Sequence, residues 1–178
     1  MSARGAARAL ALLLAVAAAA PGAPSASAAA ATRFLPWTEA PPAPVVLKDL
    51  AGRPTAMADY RGKVVVVAFW ATWCEFCKEQ MLAMQQLKRR LAGEPFEILA
   101  VNFAESPARV RRYLQALPVD LRVVLDPNQD AARAWHVRVL PVSYVVDAEG
   151  RPRYAVVGEF DWASDEAVTT IRQLLPSP

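Results

Sequence analysis

The sequence predicts an α/β domain in which a mixed β-sheet is flanked by helices, and three observations carry that prediction. Val64–Phe69 is an unbroken run of apolar residues, four of them consecutive valines, which is the pattern of a strand covered on both faces. From there to about residue 135, strand-like and helix-like stretches alternate, which implies βαβ crossovers and parallel pairing. Beyond them, Val142–Val146, a turn over Asp147–Gly150 and Arg153–Val157 read as a β-hairpin, so part of the sheet is antiparallel.

The chain has 178 residues, 54% hydrophobic and 21% charged, enough for one globular domain with a sizeable core. Met1–Arg8 carries Arg4 and Arg8 without an acid, Ala9–Ala20 is a short apolar run, and Pro21–Ser27 adds a breaker and small residues. That is the three-part layout of a secretory signal peptide, expected over residues 1–28 with Ala29 as the mature N-terminus. Left uncleaved, it would instead anchor the domain on the inner membrane, facing the periplasm. Without Arg4 and Arg8, 18 basic and 17 acidic residues remain, a balance that gives nucleic acid no purchase. Lys88–Arg90 and Arg109–Arg112 read as solvated helix faces.

Residues 29–43 read as a linker or extended arm, since Arg33–Pro44 holds four prolines and no sustained period; the folded domain is expected over 44–178. Val45–Leu47 and Thr55–Met57 predict a small hairpin or two short strands. After the valine-rich strand, Cys77, Met81, Met84, Leu87 and Leu91 form one apolar helical stripe ending near Gly93–Pro95, with Met81 and Met84 as core filler. Phe96–Phe103 is the next strand, and Pro107–Leu117 a helix capped by Ser106. Leu121–Leu125 follows as a strand, then a short helix over Pro127–Trp135 with Asp126 as its cap. Ser164 caps a last helix carrying Val168, Ile171, Leu174 and Leu175 on one face.

The chemistry sits where the central strand stops. Trp73, Cys74, Glu75, Phe76 and Cys77 follow it directly, so a strand delivers a dithiol to a helix start. Unpaired N–H groups and the dipole at a helix start stabilise a thiolate. Free cysteine titrates near ~8.5, and cysteines in such C-x-x-C motifs commonly fall to roughly 3.5–7.5. Cys74 is therefore expected to be the nucleophile and Cys77, one helical turn on, the resolving thiol. A structural staple is the weaker reading, because closing a loop of about four residues removes only roughly 1.9 kcal/mol of unfolded-chain entropy. A metal site is also weak, with only Cys74, Cys77 and His136 available against the four ligands of a tetrahedral zinc site. His136 itself reads as a surface or packing residue. No metal and no cofactor is expected beyond the Cys74–Cys77 disulfide.

Several separated motifs together resemble the TlpA/ResA-type thioredoxin-like proteins, in the AhpC/TSA-related part of the thioredoxin superfamily. They are Asp59–Lys63, Phe69–Cys77, Leu125–Pro127 and Val139–Pro141 ahead of a strand ending at Asp147-x-x-Gly150, and the resemblance spans roughly residues 44–175. It implies a thioredoxin-like fold with an N-terminal strand extension, and a cis Pro141 packed beside Cys74. It further implies an exported thiol–disulfide oxidoreductase, a monomer that reduces a protein client in cytochrome c maturation or copper-centre assembly and is recharged by a membrane electron donor. Trp73, Glu75, Phe76, Leu140 and Pro141 are then the expected substrate-binding residues, with Leu140 and Pro141 shaping the groove and Trp73 and Phe76 flanking the sulfur.

The departures from that pattern are as informative. Where thioredoxins carry a buried Asp six residues before the first cysteine, this chain has Ala68, which accepts no proton. Gln80 and Leu82 stand where the family usually has Glu and Pro, Glu79 is about 100° round the helix from position 80, and Phe76 replaces a common proline. Glu75, between the cysteines, opposes the helix dipole by its charge. Two other functions use the same thiols: a Cu(I) chaperone with Cys74 and Cys77 as soft ligands, and a peroxidase of the peroxiredoxin branch, against which Val67 and Ala71 occupy the branch's Pro and Thr positions.

Overall fold

The computed structural model describes residues 33–177. Its strands are β1 (Leu35–Pro36), β2 (Val46–Asp49), β3 (Pro54–Ala56), β4 (Val64–Trp70), β5 (Phe96–Phe103), β6 (Arg122–Asp126), β7 (Val142–Val146) and β8 (Pro152–Val157). The helices are α1 (Cys77–Arg90), α2 (Pro107–Gln115), α3 (Asp130–Ala134) and α4 (Asp165–Arg172). The strands form one sheet in the order β1-β8-β7-β4-β5-β6-β2-β3. β4, β5 and β6 run parallel, joined through α1 and α2, whereas β7 pairs with β4, and β8 with β7, in antiparallel fashion. This is the mixed sheet the alternation and the hairpin predict. Among the described residues, no helix is long and apolar enough to cross a membrane.

All seven residues of β4 are buried, and their alternation builds two of the three apolar clusters. Val64, Val66 and Ala68 face Met84 and Leu87 of α1, Leu91 at its C-cap, and Val168 and Ile171 of α4. Val65, Val67 and Phe69 face the other way, onto Ala131, Ala132 and Trp135. Trp70 and Ala71 carry the strand into a third cluster with Cys74, Cys77, Met81 and Val110. Met81 and Met84 are 2% and 0% exposed, the packing role their helical spacing predicts.

Local signals located most ends well. Ser106 and Ser164 cap α2 and α4, their hydroxyls accepting from the Arg109 and Ala167 N–H groups. α3 is the exception, starting at Asp130 rather than Pro127. The Asp126 carboxylate, 1% exposed, accepts from the N–H groups of Ala131 and Ala132 at 3.2 and 2.8 Å, so it caps a turn later than expected. Gln129, at φ 61°, turns the chain between cap and helix.

The second difference concerns the stretch expected to be a linker. Within residues 33–43, Leu35–Pro36 pairs with Ala155 and Tyr154 of β8, and the Trp37 N–H donates to the Arg153 carbonyl at 2.9 Å. Phe34 is 3% exposed and meets Tyr154, Phe160 and Trp162 edge to face at 5.1–5.8 Å. The sheet therefore begins ahead of residue 44, because one buried aromatic outweighs the prolines around it. The expected signal peptide over 1–28 lies outside the described residues. Replacing Phe34 by Ala should lower the unfolding free energy by about 3–5 kcal/mol, whereas Leu35→Ala should cost under about 1 kcal/mol. Urea denaturation of residues 33–178 measures both, and equal small losses would return this arm to the status of a tether.

Candidate active site

Between the end of β4 and the start of α1 the chain makes two tight turns. The Cys74 N–H donates to the Ala71 carbonyl, and the Cys77 N–H to the Cys74 carbonyl, each at 3.2 Å. α1 begins at Cys77, so Cys74 precedes the helix by one turn instead of lying in its first turn. Its sulfur still reaches the helix start, being bonded to that of Cys77 at 2.07 Å. Cys74 is 8% exposed and Cys77 0%, so the first cysteine keeps a small patch of surface at the rim and the second is sealed.

Apolar surface surrounds that rim. Trp73 is 59% exposed, its ring edge against Phe103, and Phe76 is 48% exposed. The Leu140–Pro141 peptide is cis. Leu140 packs half-buried against the cluster that contains both cysteines, while the Pro141 carbonyl accepts from the Gly158 N–H at 2.9 Å. The structure thus brings Leu140 into the dithiol's own cluster and leaves Trp73 and Phe76 facing solvent. Glu75 is exposed and makes no hydrogen bond or ion pair among the described residues. His136 is occupied elsewhere, with Nε2 3.4 Å from Glu39. Among the described residues, no group of three or more His, Cys, Asp or Glu side chains gathers as a metal site.

Beside the dithiol, the positions that depart from the family pattern form a neutral pair. Ala68 lies opposite Ser143 in the β4–β7 register, and the Gln80 side-chain amide donates to the Ser143 hydroxyl at 3.3 Å. Gln80 is 5% exposed and its Oε1 has no partner among the described residues. None of Ala68, Ser143 and Gln80 brings a carboxylate here.

The buried carboxylate lies on the other side of the loop, where sequence reasoning did not look for it. Glu105 is 7% exposed, and its Oε2 accepts from the Thr72 N–H at 2.7 Å and the Asn102 amide at 2.8 Å. Its Oε1 accepts from the Thr72 hydroxyl at 2.5 Å and pairs with Arg109 Nε at 2.8 Å. Arg109 also donates to Thr72 Oγ1 at 2.8 Å, so it is not the merely solvated residue its basic cluster predicts. The one sequence clue was Asn102, a polar residue inside an apolar strand with an acid three positions on. Burial alone would raise the Glu105 pKa, but the Thr72 and Asn102 hydrogen bonds and the Arg109 charge outweigh it and hold the group below its ordinary value of 4.5. Burial likewise pushes the Asp147 pKa up, but hydrogen bonds from Arg151 and Arg153 outweigh it and hold the group below its ordinary value of 3.8.

The strand order, the cis-proline loop and a cysteine pair at the mouth of the central strand define a thioredoxin-like protein of the TlpA/ResA type. Residues 38–155 match the AhpC/TSA family, and the chain belongs to it. It is 34% identical over 113 residues to the thiol-disulfide oxidoreductases ResA of Geobacillus thermodenitrificans and Bacillus subtilis, matching 64% of this chain. The chain spans 65% and 63% of the lengths of those two relatives. A Chlorobium tepidum protein provisionally assigned as the thiol:disulfide interchange protein DsbE superposes with a TM-score of 0.69 at 25% identity, covering 75% of this chain and 94% of that one. The exposed lipoprotein thioredoxin Etrx1 of Streptococcus pneumoniae gives 0.65 at 24%, covering 74% and 100%, which supports the fold.

Carboxylates with lowered native pKa values take up fewer protons folded than unfolded in acid, so their stabilisation is complete above their ordinary pKa values. It is lost as pH falls through the native ones. Melting temperature should therefore hold from pH 7 to about 5, begin to drop near the ordinary values of 4.5 and 3.8, and go on falling as pH passes below them. Glu105→Gln and Asp147→Asn should each lower it at pH 7 and flatten that acid drop. A melting temperature in the variants that falls as steeply as in the parent would assign the acid sensitivity to other groups.

Proposed function

We propose that this chain is an exported thiol–disulfide oxidoreductase that reduces a disulfide in a protein client. The observation that carries the proposal is the unequal burial of two bonded cysteines three residues apart, Cys74 retaining 8% of its surface and Cys77 none. In the reduced protein, the Cys74 thiolate attacks one sulfur of the client disulfide. A Cys74–client disulfide forms, and the client's other sulfur leaves as a thiolate. The Cys77 thiolate then attacks the Cys74 sulfur, closing the intramolecular bond and releasing the second client thiolate. Two electrons pass to the client, and the pair is left oxidised.

The exposed rings of Trp73 and Phe76, with Leu140 half-buried against the cluster that holds Cys74, offer an apolar seat for an extended client segment, while Pro141 itself is buried. A protein client is the reading this exposed apolar surface favours. Periplasmic location follows from the expected signal peptide, and a dithiol working there as a reductant needs a membrane thiol donor to restore it. Cytochrome c maturation or copper-centre assembly is the setting that the family resemblance favours.

Turnover of a protein disulfide such as that of insulin, driven by a thiol reductant, tests the assignment. Cys74→Ser should fall to the uncatalysed rate. Cys77→Ser should lose turnover yet accumulate a Cys74–client mixed disulfide, visible by mass under non-reducing conditions. Turnover retained in Cys74→Ser, or a mixed disulfide on Cys77 alone, would overturn the order of events.

A further inference from the structure

The turn that presents Cys74 has little of its own to hold it. Within Ala71–Cys74 it makes one internal hydrogen bond, from the Cys74 N–H to the Ala71 carbonyl at 3.2 Å, and Trp73 is largely in solvent. Beyond the Cys77 N–H on the Cys74 carbonyl, its polar grip falls on Thr72: Glu105, 33 positions away, takes both its N–H and its hydroxyl, and Arg109 donates to the same hydroxyl oxygen. We propose that Glu105 is a positioning residue for the dithiol: by fixing Thr72 through two hydrogen bonds, it aims the Cys74 sulfur at Cys77. The proposal rests on the Cys74–Cys77 pair being the redox centre.

A carboxylate suits this task because every group around it is a donor. The Thr72 N–H and Asn102 amide approach one oxygen, while the Thr72 hydroxyl and Arg109 approach the other. An uncharged amide in the same place would have to turn its own NH₂ toward one of those donor pairs, breaking one edge while filling the same volume. The loop that supplies Glu105 is itself held in an uncommon conformation. Ala104 sits at φ 58°, a left-handed geometry that residues other than glycine seldom adopt, with its N–H donating to the Asp126 carbonyl at 3.1 Å. That turn folds Glu105 back against Thr72. Arg109, from the first turn of α2, balances the charge, so the carboxylate stays ionised at 7% exposure.

The consequence falls on disulfide closure. An intramolecular bridge forms readily when the two sulfurs are held at one another, and ordering the turn beforehand removes that entropy from the closing step. With the grip on Thr72 broken, the reduced turn samples more conformations, the effective concentration of one thiol at the other falls, and the pair becomes a weaker reductant. Glu105 touches neither sulfur and acts through Thr72.

The test is the equilibrium of the mature protein with glutathione at pH 7, in which two glutathione thiols reduce the protein disulfide and leave as glutathione disulfide. Species are trapped by alkylation and counted by mass, with folding of each variant verified by circular dichroism. For Glu105→Gln the equilibrium constant for reduction by glutathione should rise about tenfold, a shift of about 30 mV toward a more oxidising pair. Thr72→Val, which keeps the N–H and loses the hydroxyl, should rise about threefold and serves if Glu105→Gln fails to fold. Thr72→Ser keeps both donors and should match the parent. Leu99→Ala, a core substitution away from the loop, should lower stability and leave the constant unchanged. Parent-like constants in both Glu105→Gln and Thr72→Val, or an equal rise in Leu99→Ala, would overturn the positioning role. A parent protein that never exchanges with glutathione would instead overturn the redox assignment beneath it.

Discussion

Two-sided burial of β4 is the constraint on which the site depends. Seven consecutive side chains from Val64 to Trp70 have no solvent face, with clusters packed above and below. Each buried valine or phenylalanine contributes roughly 1.5–3 kcal/mol, and a slip of one residue would exchange the two faces, bringing Ala68 where Val67 or Phe69 now fills space. The strand's register is thus fixed by packing, and so is the point at which the chain leaves the sheet. Cys74 emerges four residues later. The accuracy with which a sulfur is delivered to the surface is inherited from the core beneath it.

What surrounds that sulfur divides into a neutral side and a charged side. Toward β7, Ala68, Ser143 and Gln80 offer no titrating group, and Gln80 keeps one polar atom unpartnered. Toward β5 and α2, Glu105 is ionised, buried and matched by Arg109. Burying a carboxylate is costly unless it is paired and hydrogen-bonded, and here four donors meet that cost. The charged groups therefore go into holding the loop through Thr72.

The pattern of agreement with the sequence reading has a physical origin. The strand expected over Val64–Phe69, found one residue longer, and the caps Ser106 and Ser164 were legible because their signals are local: an apolar run, or a hydroxyl a few residues from the N–H it accepts. The dithiol was legible because its spacing is itself the chemistry. Phe34 was not, since its burial depends on Tyr154, Phe160 and Trp162, more than a hundred residues away, while the prolines beside it spoke locally for an arm. The late start of α3 escaped because Asp126 offers its carboxylate rather than its backbone position as the cap. Glu105 and Thr72 stand 33 residues apart, joined only once β4 and β5 lie side by side. Periodicity says nothing of such a pair.

The two cysteines differ in the structure chiefly in which can be reached from solvent, and that difference can be read directly. The reduced mature protein at pH 7, treated briefly with iodoacetamide below one equivalent and mapped by peptide mass, should carry its adduct on Cys74 with Cys77 unmodified. Equal labelling of both thiols, or preference for Cys77, would contradict the assignment of Cys74 as the attacking sulfur.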